Sequence, residues 1–169
     1  MHMNILRSAV AQKKSYRTGF TLIELLIVIA LIALVSGILL VNLAGRKSRK
    51  TLDSATTQMA ALIREAQSRA VSQSGGTSWG VRFNNATTTR AFYALFASST
   101  YNPGNVAARY ALPPGIFYTS STVSPGQVRD IIFSEMTGLT TSSSIGLYSS
   151  SAPGTSTLII ISNSGLISF

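Results

Sequence analysis

Hydrophobic residues along this chain change their pattern twice. Between Phe20 and Leu43 they are nearly continuous, 24 residues in which Glu24 is the only charge. As a helix this run spans about 36 Å at roughly 1.5 Å per residue, enough to cross a hydrocarbon core of about 30 Å. It exceeds the roughly 7–15-residue core of a cleavable secretory signal, and no small-residue cleavage site follows it. A polar collar, Ala44 to Lys50, comes next. Beyond it Leu52, Ala55, Met59, Leu62, Ile63, Ala66 and Ala70 recur at three- and four-residue steps, with Asp53, Gln58, Arg64, Gln67 and Ser68 opposite. That spacing makes a helix with one apolar face. Gly75-Gly76 supplies a stop, because glycine accepts the left-handed conformation common just past a helix end. The pattern predicts one helix from about Phe20 to Ser74, without an interrupting proline and with Gly37 as a candidate flexible point.

After Gly76 the period shortens. Trp79, Val81 and Phe83 alternate with small or polar neighbours before Asn84-Asn85, and Phe92, Ala94 and Phe96 share one side of a second run, Arg90 to Phe96. Residues 97–108 read as a loop and Pro113-Pro114-Gly115 as a turn. Further β-prone runs are Ile116 to Tyr118, Val128 to Phe133, Ile145 to Tyr148, Leu158 to Ser162 and, after Asn163-Ser164-Gly165, Leu166 to Phe169. Short strands at this spacing predict an antiparallel sandwich or curved sheet. The expected class is α+β: a long N-terminal helix packed on a C-terminal antiparallel β headgroup. Four regions result, with residues 1–19 a basic leader, 20–43 a transmembrane or assembly helix, 44–74 an amphipathic half and 75–169 a β-rich headgroup.

Charge refines this division. The 169 residues carry a net +9, which by itself suggests an anionic partner. Its distribution is uneven. Arg7, Lys13, Lys14 and Arg17 lie in the leader, and Arg46, Lys47, Arg49 and Lys50 form a cluster after the apolar run. Beyond Lys50 six arginines face four acids, a net +2. The excess therefore belongs to the flanks of the run, where each cation gains roughly 1 kcal/mol beside anionic lipid. Because four cations stand on each side, charge counting alone gives no topology.

The inventory for catalysis is thin. Cysteine is absent and the one histidine is His2, so most nucleophile, general-base and transition-metal arrangements are missing, and no enzyme activity, cofactor or metal is expected. Asp53 and Glu65 read as solvated helix positions. Asp130 and Glu135 flank a strand end, where two acids make a poor calcium loop. Arg82, Arg90, Arg109 and Arg129 lie in or near β segments with Tyr93, Tyr101, Tyr110 and Phe117 nearby, and clustered on one face they would contact nucleic acid. Scattered surface arginines and core aromatics are the preferred reading.

Glu24 remains. An ionised carboxylate in an apolar span costs roughly 2.5–3.5 kcal/mol on insertion scales, so it calls for a partner. A simpler role is an acid at a helix N-terminus, worth about 0.3–1 kcal/mol through the macrodipole.

The segment Arg17-Thr18-Gly19-Phe20-Thr21-Leu22-Ile23-Glu24-Leu25-Leu26 resembles the processing site of type IV prepilins and type II secretion pseudopilins. The resemblance implies cleavage between Gly19 and Phe20 by a prepilin peptidase that removes the leader, and N-methylation of Phe20. It implies assembly through Glu24, whose carboxylate pairs with the Phe20 amine of a neighbouring subunit. It also implies a single-pass protein of the bacterial inner membrane, leader in the cytoplasm and headgroup outside it, which lies in the lipid bilayer before assembly. Its partners would be other pilins or pseudopilins, the peptidase and an inner-membrane assembly platform. Three further segments, Leu62 to Val71, Ile131-Ile132-Phe133 with Gly138, and Leu158 to Ser162 with Gly165-Leu166-Ile167, resemble the H-type (GspH/FimT-like) minor pseudopilins and the FimT/FimU minor pilins. The helix proline of many major pilins is missing, with Val41 near its place, as are the paired cysteines and a tyrosine-proline segment after the helix. The expected function is that of a minor subunit of a type II secretion pseudopilus or type IV pilus, serving protein secretion and filament initiation. The alternatives are a type IV minor pilin that binds DNA during uptake and a membrane-tethered module that never polymerises.

Overall fold

The computed structural model describes residues 19–169, apart from the side chains of residues 38–45. The leader, except Gly19, therefore lies outside the described residues. So do the side chains of residues 38–43 in the expected transmembrane run.

Helix α1 spans Leu22–Val71, 50 residues. The chain divides into two units, Met1–Leu39 and Leu40–Phe169. In the first, α1 is apolar all round, and its large side chains from Leu22 to Val35 are exposed on every face. Among the described residues no helix is long and apolar enough to cross a membrane.

In the second unit α1 becomes one-sided as its spacing predicts. All seven expected apolar positions are buried, joined by Thr56 and Ala60. Thr56 returns its hydroxyl to the Leu52 carbonyl at 2.9 Å, which makes its burial tolerable. The helix ends earlier than Gly75-Gly76 suggests. Gln73 takes the left-handed conformation, φ 53°, while Ser74 N donates to Arg69 O and Gln73 N to Ala70 O. These are the two bonds of a Schellman closure, with a non-glycine residue in the position that favours glycine. Trp79 then latches the end, donating its indole N–H to Ser74 O at 2.7 Å under the Arg69 guanidinium.

The headgroup holds two four-stranded antiparallel sheets. β1 (Trp79–Asn84), β2 (Phe92–Ala97), β3 (Val106–Ala111) and β5 (Val128–Phe133) form the first, in the order β3-β2-β1-β5. β4 (Ile116–Tyr118), β6 (Ser143–Ser149), β7 (Ser156–Ile161) and β8 (Ile167–Ser168) form the second, in the order β4-β6-β7-β8. Strand β3 corrects the expectation of a loop over 97–108. Three alanines give it little β-propensity, and pairing with β2 supplies the order.

One core joins the amphipathic part of α1 to both sheets, with Met59, Ile63, Phe83, Phe133, Leu147 and Ile159 fully enclosed. Tyr118 bridges the layers, edge-on to Phe83 and donating its hydroxyl to Phe92 O at 3.0 Å. Burial pushes its phenol pKa far up, with a smaller contribution from Tyr93.

The three segments of the narrower resemblance meet at Gln67. Its amide donates to Ser164 O at 3.3 Å, and Gly138 and Gly165, both with positive φ, close over it. A Cβ on Gly165 would collide with the Gln67 amide and lie 2.9 Å from Gly138 O. Only glycine fits there, on conformation and on space.

Candidate assembly site

The helix start is built from four residues. Thr21 precedes the first helical residue, and Glu24 is the third residue of α1. The Glu24 amide donates to Thr21 Oγ1 at 3.2 Å, while Glu24 Oε2 accepts from Thr21 N at 3.4 Å and Thr21 Oγ1 at 3.3 Å. This reciprocal arrangement is a capping box, which satisfies two of the amide donors that every helix start leaves free. Thr21 is a capping residue that the reading of the sequence missed, although Thr-x-x-Glu before an apolar run is its signature. Glu24 thus has a local partner and stays exposed. The bonds are long and leave room for exchange with another donor.

Phe20 is 85% exposed, so the fold makes no use of its ring. Nor does the fold need a glycine at 19. A Cβ there meets no atom within 4 Å, and Gly19 is absent from the positive-φ residues. The fold itself therefore places no demand on either residue at this bond.

The four candidate nucleic-acid arginines do not form one surface. Arg82 and Arg109 share a row on the outer face of the first sheet, since both pair across to Ala94. Both are already engaged. Arg82 donates two hydrogen bonds to Asp130, at 2.7 and 2.6 Å, and lies 3.7 Å over the Tyr101 ring. Those hydrogen bonds hold its guanidinium pKa above the ordinary value. Arg109 lies 3.7 Å over Phe92. Arg129 falls in the row of Phe83, on the opposite face, and donates to Ser143 Oγ and Ser144 O. Arg90 is exposed in the β1–β2 loop. Of the candidate stacking rings, Tyr93 and Tyr110 stack on each other, and burial raises the Tyr93 phenol pKa. Asp130 is spent on Arg82, and among the described residues no three acids or histidines gather where a metal ion would sit.

Comparison with known proteins bears on the helix start and on the headgroup separately. Residues 14–40 match the prokaryotic N-terminal methylation motif. The fold resembles the crystal structure of the type IV minor pilin FimU of Pseudomonas aeruginosa, with a TM-score of 0.50 at 15% identity, over 69% of this chain and 90% of that one. A second crystal form of FimU gives a TM-score of 0.49 at 17% identity, over 72% and 89%. No curated protein sequence matches this chain.

Proposed function

We propose that this chain, a type IV pilin-like protein by its methylation motif and its fold, is a minor subunit of a secretion pseudopilus or a type IV pilus. One observation carries the reading. Eleven large apolar residues from Leu22 to Val35 stand exposed around the whole circumference of α1, with Phe20 exposed just before it. A helix apolar on every side is stable only in a bilayer or surrounded by other apolar helices. A subunit that waits in the membrane and then enters a bundle of parallel neighbours uses both environments in turn.

The remaining features fit that cycle. A peptidase that takes the backbone into a narrow site accounts for a glycine the fold does not need, and cutting after Gly19 leaves the apolar helix attached. The new amine of Phe20 is then methylated. In a bundle it is a buried cation, and a neighbour's Glu24 carboxylate is the anion that compensates it. The exposed cluster Arg46, Lys47, Arg49 and Lys50 suits the anionic headgroup layer beyond a single-pass span in the inner membrane. The headgroup then lies outside the cytoplasm. The missing helix proline and cysteine pair favour a minor role in initiating the filament. The function is mechanical and non-enzymatic.

The test is the intact mass of the protein expressed with and without a prepilin peptidase. Loss of residues 1–19 with one added methyl on Phe20, only when the peptidase is present, is the expected result. An unprocessed chain beside an active peptidase would overturn the proposal.

A further inference from the structure

The headgroup contains a cavity of 630 Å³, bounded by Phe117 and Tyr148, the Thr119-Ser120 turn, the Asn85-to-Thr87 loop and Pro125. Its volume falls in the range of small-molecule sites. Three properties define what it can hold.

The first is its floor. Phe117 on β4 and Tyr148 on β6 are direct cross-strand partners. Their rings stack with centroids 5.7 Å apart and planes inclined by 29°. They remain 44% and 40% exposed. The fold has built a flat aromatic strip and left it uncovered, and its electron-rich faces attract polarised C–H and N–H groups.

The second is its rim. Among the described residues the hydroxyls of Thr87, Ser120 and Tyr148 have no protein partner. Each can donate and accept. The walls that carry them are braced. Asn85 holds the β1–β2 loop to the connection between β4 and β5, through Nδ2 to Val123 O at 2.8 Å and through backbone bonds with Gly126 and Gln127. On the other side Thr122 Oγ1 accepts from Gly146 N at 2.9 Å and meets Thr119 Oγ1 at 2.8 Å. Thr119 sits where any side chain at position 146 would be, so this turn can lie flat against the sheet only over a glycine.

The third is its charge. No acid or base lines the cavity, so an ionic ligand finds no counter-charge in its lining, although Arg90 stands in the adjoining depression. A peptide adding as a strand is disfavoured too, because β4 offers an edge of only three residues.

We infer that this cavity binds a neutral saccharide, one sugar ring lying with its C–H face on Phe117 and Tyr148 and its hydroxyls on Thr87, Ser120 and Tyr148. A sugar combines an uncharged body, an apolar face and a rim of groups that both donate and accept, which is the complement of this lining. The inference is independent of filament assembly, since every residue it uses lies in the headgroup.

The experiment is saturation-transfer NMR on the full chain in micelles of a sugar-free detergent, with cellohexaose, maltohexaose and chitohexaose as millimolar probes. Transfer to at least one of them is expected, reduced about tenfold or more (1.4 kcal/mol) in Phe117→Ala/Tyr148→Ala. Ser120→Trp, which fills the cavity while leaving both rings unmutated, should have the same effect, and Leu158→Ala on the same sheet should have none. Unfolding midpoints of all variants establish that each is folded, and Ser120→Trp serves alone if the double variant is not. The absence of transfer to all three sugars, or transfer that survives in both cavity variants, overturns the inference. Binding of a proline hexamer in place of the sugars would assign the rings to peptide recognition and overturn it as well.

Discussion

Glu24 is asked to do two things, and one substitution separates them. In the single chain its carboxylate accepts from Thr21 N and Oγ1 at 3.4 and 3.3 Å. In the proposed filament it neutralises a neighbour's amine. Glu24→Gln keeps an oxygen acceptor of the same reach, and glutamine serves in a capping box as glutamate does, so the helix start survives while the charge is lost. Glu24→Ala removes both. The bonds are long and the site is exposed, so the capping contribution falls near the low end, about 0.5–1 kcal/mol or no more than about fivefold in an equilibrium. Leaving an amine buried without its counter-ion costs about 3–5 kcal/mol, roughly two to three and a half decades in subunit incorporation at 1.4 kcal/mol per decade. The assay is quantitative recovery of the tagged subunit in sheared filaments from cells that also express the companion subunits, normalised to processed subunit in the membrane. Glu24→Gln and Glu24→Ala should both fall by about a hundredfold or more and lie within about fivefold of each other. If Glu24→Gln assembles like the unaltered chain while Glu24→Ala does not, the capping box suffices and the argument from charge pairing is refuted.

Other outcomes follow from the headgroup. Gln73→Gly should stabilise the protein by about 0.5–1 kcal/mol, because glycine takes the left-handed closure of α1 without a Cβ penalty. A thermal melt that does not move upward would contradict that account of the helix end. Gly165→Ala should cost more than about 2 kcal/mol, from positive φ and the collision with Gln67, and lower the unfolding midpoint by roughly 10 °C. Gln67→Ala in the same chain should recover part of the loss. Tyr118 has a raised folded pKa, so its contribution is complete below the unfolded value near 10 and is lost as pH rises above it. Urea unfolding between pH 9 and 11 should show stability falling by up to about 1.4 kcal/mol per pH unit above pH 10 for this group, and a shallower fall in Tyr118→Phe.

How far the residues alone lead depends on the range of the interaction. The amphipathic face of α1 is readable because its apolar spacing is local and repeats for five turns. Most strands are readable for the same reason, through alternation and β-branched content. Strand β3 is not, because Ala107, Ala108 and Ala111 carry no preference and its order comes from Tyr93, Ala94 and Leu95 on the neighbouring strand. The closure at Gln73 is hidden by Gly75 and Gly76, which hold left-handed positions of their own in the connection to β1. The capping box is local and was open to inspection, yet a carboxylate in an apolar run draws attention to its charge and away from Thr21 three residues before. The pairing of Arg82 with Asp130 spans 48 positions, and nothing in either segment announces it. Without that pair the arginines look free.

The contact between α1 and the headgroup has a mechanical consequence. Buried side chains run along the helix from Leu52 to Ala70, about five turns, with Gln67 and Trp79 as additional ties near its end. Axial load entering through the helix reaches the sheets as shear spread over all of these turns at once, and no single link bears it. Bonds loaded in parallel must fail together, whereas bonds loaded in series fail one at a time. In the proposed filament, tension carried by the helix would therefore have to shear all of these turns together to part it from its own headgroup.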